Sequence, residues 1–278
     1  MYDLAGRLGR EVKRASAEVW SRRPLSVSDS RPTVDLVLSL TTFPERLSSA
    51  AITLKTLLRQ TVRPRALVVV LSKVQFDRVP EELKRFEHLG VRVIFDDGDI
   101  RSFKKLIPIR EQFSGATIVT ADDDVIYPSD WLARLVSAHQ RGPNDVVGHR
   151  GTCIVGGKES LAPYVSWPQA GVSTPSARVF LTGMGGILYP ADALPPEALD
   201  RSLAIRLCPT ADDIWFKAME LIGGVSVRKV SDDPAQLHGV RSAQRFSLRQ
   251  LNVDDGRNDA QFRTVMDYFG LWEKLGSE

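Results

Sequence analysis

Cysteine is almost missing from this chain: there are two in 278 residues, Cys153 and Cys208, each with apolar neighbours. That excludes a disulfide framework, and the pair reads as buried free thiols in a reducing compartment. Histidine is nearly as scarce, with four copies, and no Cys/His spacing suggests zinc. Long apolar runs are also absent. No uncharged stretch has the length and apolarity of a membrane span, and the N-terminal residues lack the apolar core of a secretion signal. The longest uncharged stretch, residues 161–177, contains Pro163, Pro168 and Pro175 and reads as a loop. Net charge is small, +3. Residues 1–31 carry seven Lys/Arg against four Asp/Glu, and the remaining charges balance. A uniformly basic, nucleic-acid-binding surface is therefore not expected. No internal repeat or low-complexity tract occurs.

What is present suits a globular chain. Hydrophobic residues make up 43% and charged residues 26%, enough for the core of one large α/β domain or two small ones. Leu4, Leu8, Val12, Ala15 and Val19 share one helical stripe flanked by Arg and Lys. Residues 1–31 thus read as a basic amphipathic helix and linker. Such a helix lies on an anionic membrane, packs on the body, or joins a partner chain in a homo-oligomer. The expected location is cytoplasmic, with peripheral membrane contact through residues 1–20.

From residue 32 the pattern changes. Strands are expected at 34–40, 66–72, 91–95 and 116–121. Helices are expected at 45–60, 81–89, 102–113 and 129–140, with Pro108 kinking or splitting the third. This alternation implies a mostly parallel sheet with right-handed crossovers. Ligands bind at the carboxyl ends of such strands, which places Thr41, Thr42, Ser72, Asp96 and the run Asp122-Asp123-Asp124 on one edge. The second half is less regular. Residues 151–177 read as a long loop, 183–190 as a glycine-rich turn entering a strand, and 210–222 as a helix. Asn258 and Asp259 open a last helix with Phe262, Val265, Met266 and Phe269 facing the body.

The aspartate run is the feature that points to chemistry. Three carboxylates at one strand end repel, and desolvating them costs more still. Hard cations such as Mg²⁺ and Mn²⁺ relieve such clusters and take one or two carboxylates plus substrate phosphates. A solvated acidic turn opening the next helix is the alternative.

Four segments then carry a resemblance: Ser39-Leu40-Thr41-Thr42-Phe43-Pro44-Glu45-Arg46, Thr120-Ala121-Asp122-Asp123-Asp124-Val125-Ile126-Tyr127, Gly183-Met184-Gly185-Gly186 and Asp212-Asp213-Ile214-Trp215. Their order resembles the GT-A glycosyltransferases, and is most similar to bacterial surface-polysaccharide enzymes related to family 2. Thr-Thr-Phe-Pro stands where a Tyr-Asn-type ending is usual, which leaves base recognition open. The resemblance implies a Rossmann-like GT-A fold, with a mostly parallel central sheet flanked by helices. It divides residues 32–278 into a nucleotide-sugar half, 32–150, and an acceptor half, 151–278. It implies Mn²⁺ or Mg²⁺ held by Asp122, Asp124 and His238. Thr41, Thr42, Arg46, Ser72, Asp96, Lys104, Lys105, Asp122 and Asp123 would meet the donor. Gly185, Gly186 and Trp215 would meet the acceptor. Asp213, or Asp212, would be the base that deprotonates the acceptor hydroxyl. A capping box of Thr210 with Asp213 is the structural alternative.

The function so implied is metal-dependent transfer of a sugar, with inversion, from a nucleoside-diphosphate sugar, expected to be a UDP-sugar. The acceptor would be a hydroxyl of a glycan or glycolipid in cell-surface polysaccharide synthesis. Two other classes stand beside it. One is a metal-dependent nucleotidyltransferase or phosphohydrolase, against which no glycine-rich phosphate loop follows the first strand. The other is a non-catalytic carbohydrate-binding or assembly protein.

Overall fold

The computed structural model describes residues 30–172, 175–230, 237–241, 243 and 256–276, with Ala15, Val19 and Leu25. The expected helix at 4–20 lies, apart from Ala15 and Val19, outside the described residues. No helix among the described residues is long and apolar enough to cross a membrane.

Four parallel strands form the centre: β1 (Thr33–Thr41), β2 (Arg63–Ser72), β3 (Val91–Asp96) and β4 (Ile118–Thr120). The sheet is completed by β6 (Val146–Gly148), β9 (Ile187–Tyr189) and β10 (Val227–Lys229), in the order β10-β6-β9-β4-β1-β2-β3. Only β9 runs antiparallel to its neighbours β4 and β6. Short strands β5 (Val125–Ile126), β7 (Gly151–Cys153), β8 (Val179–Leu181) and β11 (His238–Gly239) make two small side ladders, β7 with β8 and β11 with β5.

Period-two alternation splits the apolar strands between two faces. Val68 and Val70 pack with Phe103, Ile107 and Phe216 on one face. Leu67, Val69 and Leu71 pack on the other with α1 (Leu47–Leu58) and α4 (Trp131–Arg141). Both faces are covered, which is why the central strands read as continuous Val/Leu runs. The remaining helices are α2 (Glu81–Lys84), α3 (Ile107–Gln112), α5 (Arg201–Leu207), α6 (Asp212–Gly223) and α7 (Arg257–Phe269).

Proline decides one boundary. The helix expected at 102–113 is split into a 3-10 turn, Arg101–Lys105, and α3, with Pro108 in its first turn, where a missing N–H costs nothing. Likewise a 3-10 turn, Pro44–Arg46, precedes α1. Residues 151–177 are not a bare loop: β7 pairs with β8, and Tyr164–Ser166 forms a 3-10 turn.

Candidate active site

Parallel register sets Thr41, Ser72, Asp96 and Thr120 at the carboxyl ends of adjacent strands. Antiparallel β9 adds the next piece. Because Ile187 pairs with Thr120, the turn Gly183–Gly185 that precedes β9 lies beside Asp122. The N-terminus of α6 closes on the same spot, since the Gly183 N–H donates to both carboxylate oxygens of Asp213 at 3.1 Å.

The three aspartates are not equivalent. Asp123 is anchored: it accepts from Thr42 Oγ1 at 2.7 Å and Arg46 Nη1 at 2.9 Å, and its side chain is 8% exposed. Asp122 and Asp124 are more open, at 30% and 24%. Arg46 Nη1 also pairs with Asp124 at 2.8 Å. Lys105 Nζ, itself buried, pairs with Asp122 at 2.8 Å and Asp212 at 3.0 Å. Thr42 thus holds Asp123, Arg46 holds Asp123 and Asp124, and Lys105 holds Asp122.

Among the described residues of this cluster carboxylates outnumber cations: Arg46 pairs with Asp123 and Asp124, Lys105 pairs with Asp122 and Asp212, and Asp213 adds its charge near Lys105. Burial pushes Asp123 up to about 6, despite Arg46. Burial, then the charge of Asp212, pushes Asp213 up to about 7. Asp124 is raised by burial and by Asp122. Lys105 loses hydration too, but Asp122, Asp212 and Asp213 more than offset that and hold it charged. Among the described residues, no three His, Cys, Asp or Glu side chains form a ready-made metal cage. An excess of carboxylates, two of them partly open, is nevertheless the donor set that Mg²⁺ or Mn²⁺ takes when substrate phosphates supply the rest. His238 is half-buried in β11, paired across from Ile126, and the Val240 N–H donates to the Asp124 carbonyl at 2.7 Å.

The protein itself holds several of the residues expected to meet ligand. Trp215 is fully buried, and its Nε1 donates to the Ala198 carbonyl at 3.2 Å, so it offers no face to a sugar. Gly185 and Gly186 are buried packing positions. A Cβ on Gly186 would fall under 3.0 Å from two ring atoms of Trp131, and one on Gly185 would strike the Arg150 backbone. Gly183, part of the glycine motif but given no role of its own in the sequence, is the glycine at the site: a Cβ there would meet Lys105 Nζ at 2.7 Å, Asp213 Oδ1 at 3.1 Å and Asp122 Oδ1 at 3.3 Å. Lys104 and Lys105 diverge, with Lys104 pairing with Asp99. Ser72 is buried and its Oγ accepts from the Val74 N–H at 3.1 Å, closing a turn. Thr41 Oγ1 donates to the Val70 carbonyl at 2.8 Å. Asp96 accepts from Arg201 Nη1 at 2.6 Å, and its other oxygen is buried without a partner.

The capping box is absent. The N-cap of α6 is Ala211, and Thr210 bonds to Gln261 of α7. Asp213 is thus not spent on its own helix end.

A polar stripe went unnoticed in the sequence. Thr53, Thr56 and Gln60 are buried on or just past α1 and hold the chain beyond the aspartates. Thr53 Oγ1 donates to the Val125 carbonyl at 2.8 Å and accepts from its N–H at 3.1 Å. Thr56 accepts from the Tyr127 N–H at 3.2 Å. Gln60 bonds to the Pro128 carbonyl at 2.7 Å and the Leu132 N–H at 2.8 Å. Polar residues at i, i+3 and i+7 on an otherwise apolar helix face were the available signal. Tyr164 was also missed; burial and the charge of Asp213 push its phenol up to about 12.

No protein-family model matches this chain, and no curated protein matches it in sequence. Among solved structures it is similar to the mannosyltransferase PcManGT from Pyrobaculum calidifontis, solved in complex with GDP-Man and Mn²⁺. The identity is 15% and the TM-score 0.52, covering 96% of this chain and 73% of that one. A second likeness, to S. aureus TarS 1–349, has 12% identity and a TM-score of 0.46, covering 87% and 74%; that score is too low to carry an argument. The fold is therefore of the GT-A glycosyltransferase type, with its mostly parallel seven-stranded sheet.

Proposed function

We propose that this chain is an inverting glycosyltransferase that moves a sugar from a nucleoside-diphosphate donor to a hydroxyl of a glycan or glycolipid. The observation that carries this reading is the convergence of partly open Asp122 and Asp124 with Asp213 around Gly183, at the carboxyl edge of a GT-A-type sheet. Asp122 and Asp124 would hold Mn²⁺ or Mg²⁺ against the donor diphosphate. When bound, the ion stabilises the charge gained by the departing nucleoside diphosphate. Asp213 is the base: its carboxylate takes the acceptor hydroxyl proton as that oxygen bonds to the anomeric carbon and the bond to the diphosphate breaks. A carboxyl raised to about 7 suits a base working near neutrality. Asp212, next to it, pairs with Lys105 at 3.0 Å.

UDP is the donor nucleotide to test first, with GDP beside it because the fold neighbour holds GDP-Man. The acceptor suggested by the family resemblance is cell-surface polysaccharide. The test is product analysis with nucleotide-sugars and Mn²⁺. Release of a nucleoside diphosphate is expected, abolished by Asp124→Ala in a folded variant. Release of pyrophosphate would mean a nucleotidyltransferase instead.

A further inference from the structure

For the proposed chemistry, two segments must keep a fixed spacing: the end of β4, which bears Asp122, and the glycine turn whose N–H holds Asp213. A pair of buried aromatic rings spans them. The backbone ladder of β4 reaches Ala121, whose N–H donates to the Ser39 carbonyl at 2.8 Å. The next N–H, that of Asp122, donates instead to the Tyr127 phenol oxygen at 2.9 Å. Tyr127 packs on Trp131 with ring centroids 4.3 Å apart. Trp131 Nε1 then donates to the Gly185 carbonyl at 2.7 Å. The Trp131 carbonyl is met by His149 Nε2 at 3.0 Å, and Gly186 leaves room for the indole. Neither ring reaches solvent.

We propose that Tyr127 is a positioning residue for Asp122, and that the Tyr127–Trp131 pair sets the register between the donor carboxylates and the turn that holds the base. The inference rests on the donor-site reading above. Its physical basis is that the phenol fixes the Asp122 backbone where the sheet no longer does, and so aims the Asp122 carboxylate. Trp131 ties that point to Gly185, two residues from the Asp213 donor. Partners of metal ligands act in this way on other sites, and losing one costs about 10–100-fold in metal affinity.

The experiment reads the Mn²⁺ concentration that half-saturates UDP or GDP binding, by calorimetry at fixed nucleotide, for wild type, Tyr127→Phe and Trp131→Phe. Thermal unfolding shows which variants are folded. Tyr127→Phe should raise the Mn²⁺ midpoint about tenfold, and Trp131→Phe should raise it by a smaller factor. A purely structural role would lower the unfolding temperature and leave that midpoint alone. A folded Tyr127→Phe with an unchanged midpoint overturns the inference. If that variant does not fold, an unchanged midpoint in Trp131→Phe overturns it. A wild type that binds neither nucleotide in Mn²⁺ overturns the donor-site reading and this inference together. Binding by wild type with unmoved variants overturns the inference alone.

Discussion

Asp213 keeps some surface exposed but is crowded by protein, and that burial with the neighbouring Asp212 shifts its carboxyl from 3.8 to about 7. A raised carboxyl contributes stability that is complete below about pH 4 and lost as pH rises through 7. Asp213→Asn, neutral throughout, should therefore abolish transfer while raising stability at pH 8. Allowing for the exposed surface, the gain is on the order of 1–2 kcal/mol. The gain should vanish near pH 4, and thermal unfolding at the two pH values checks it. Lys105→Met removes the buried cation between Asp122 and Asp212. Stranded carboxylates should cost about 3–5 kcal/mol, read by denaturant unfolding. At this scale the sequence disclosed residue types but not directions. Consecutive aspartates announce a cluster, yet only Thr42 and Arg46 reveal that the middle one is the anchor. Trp215, two residues from Asp213 in sequence, reads as a sugar platform, but residues two apart on a helix point to different sides, and its ring is buried.

Elements carry the next set of constraints. A Cβ on Gly186, where φ is +77°, would collide with the rigid Trp131 ring, so Gly186→Ala should destabilise the fold by about 2 kcal/mol or more. A Cβ on Gly183 would meet the ends of Lys105 and Asp213, which can shift. Gly183→Ala should thus lose little stability but most of its nucleotide binding and transfer, a contrast that unfolding and binding measured on both variants would show. Thr53→Val leaves both polar groups of Val125 without their partner and should cost about 1–3 kcal/mol. Strands and helices of the first half were legible because each has strong periodicity and its own punctuation. The ladder of β7 with β8 was not. Strands of three residues have too few side chains to show a period, and their pairing partner lies 28 residues on.

At the scale of the whole molecule, alternating strands and helices were enough to place the aspartates at a parallel sheet edge. The insertion of antiparallel β9 between β4 and β6 was not foreseeable from local pattern, because it depends on pairing across about 70 residues. Yet that one insertion brings the Gly183 turn, and through it Asp213, to Asp122. On the proposed function, this edge holds a nucleoside diphosphate through a divalent cation. Calorimetric titration of UDP and of GDP, in Mn²⁺ and again in EDTA, tests it most directly, with Asp124→Ala alongside. The expected result is Mn²⁺-dependent binding of one nucleotide that EDTA and Asp124→Ala both abolish. Binding of neither nucleotide to folded protein, or equal binding in EDTA, would contradict it.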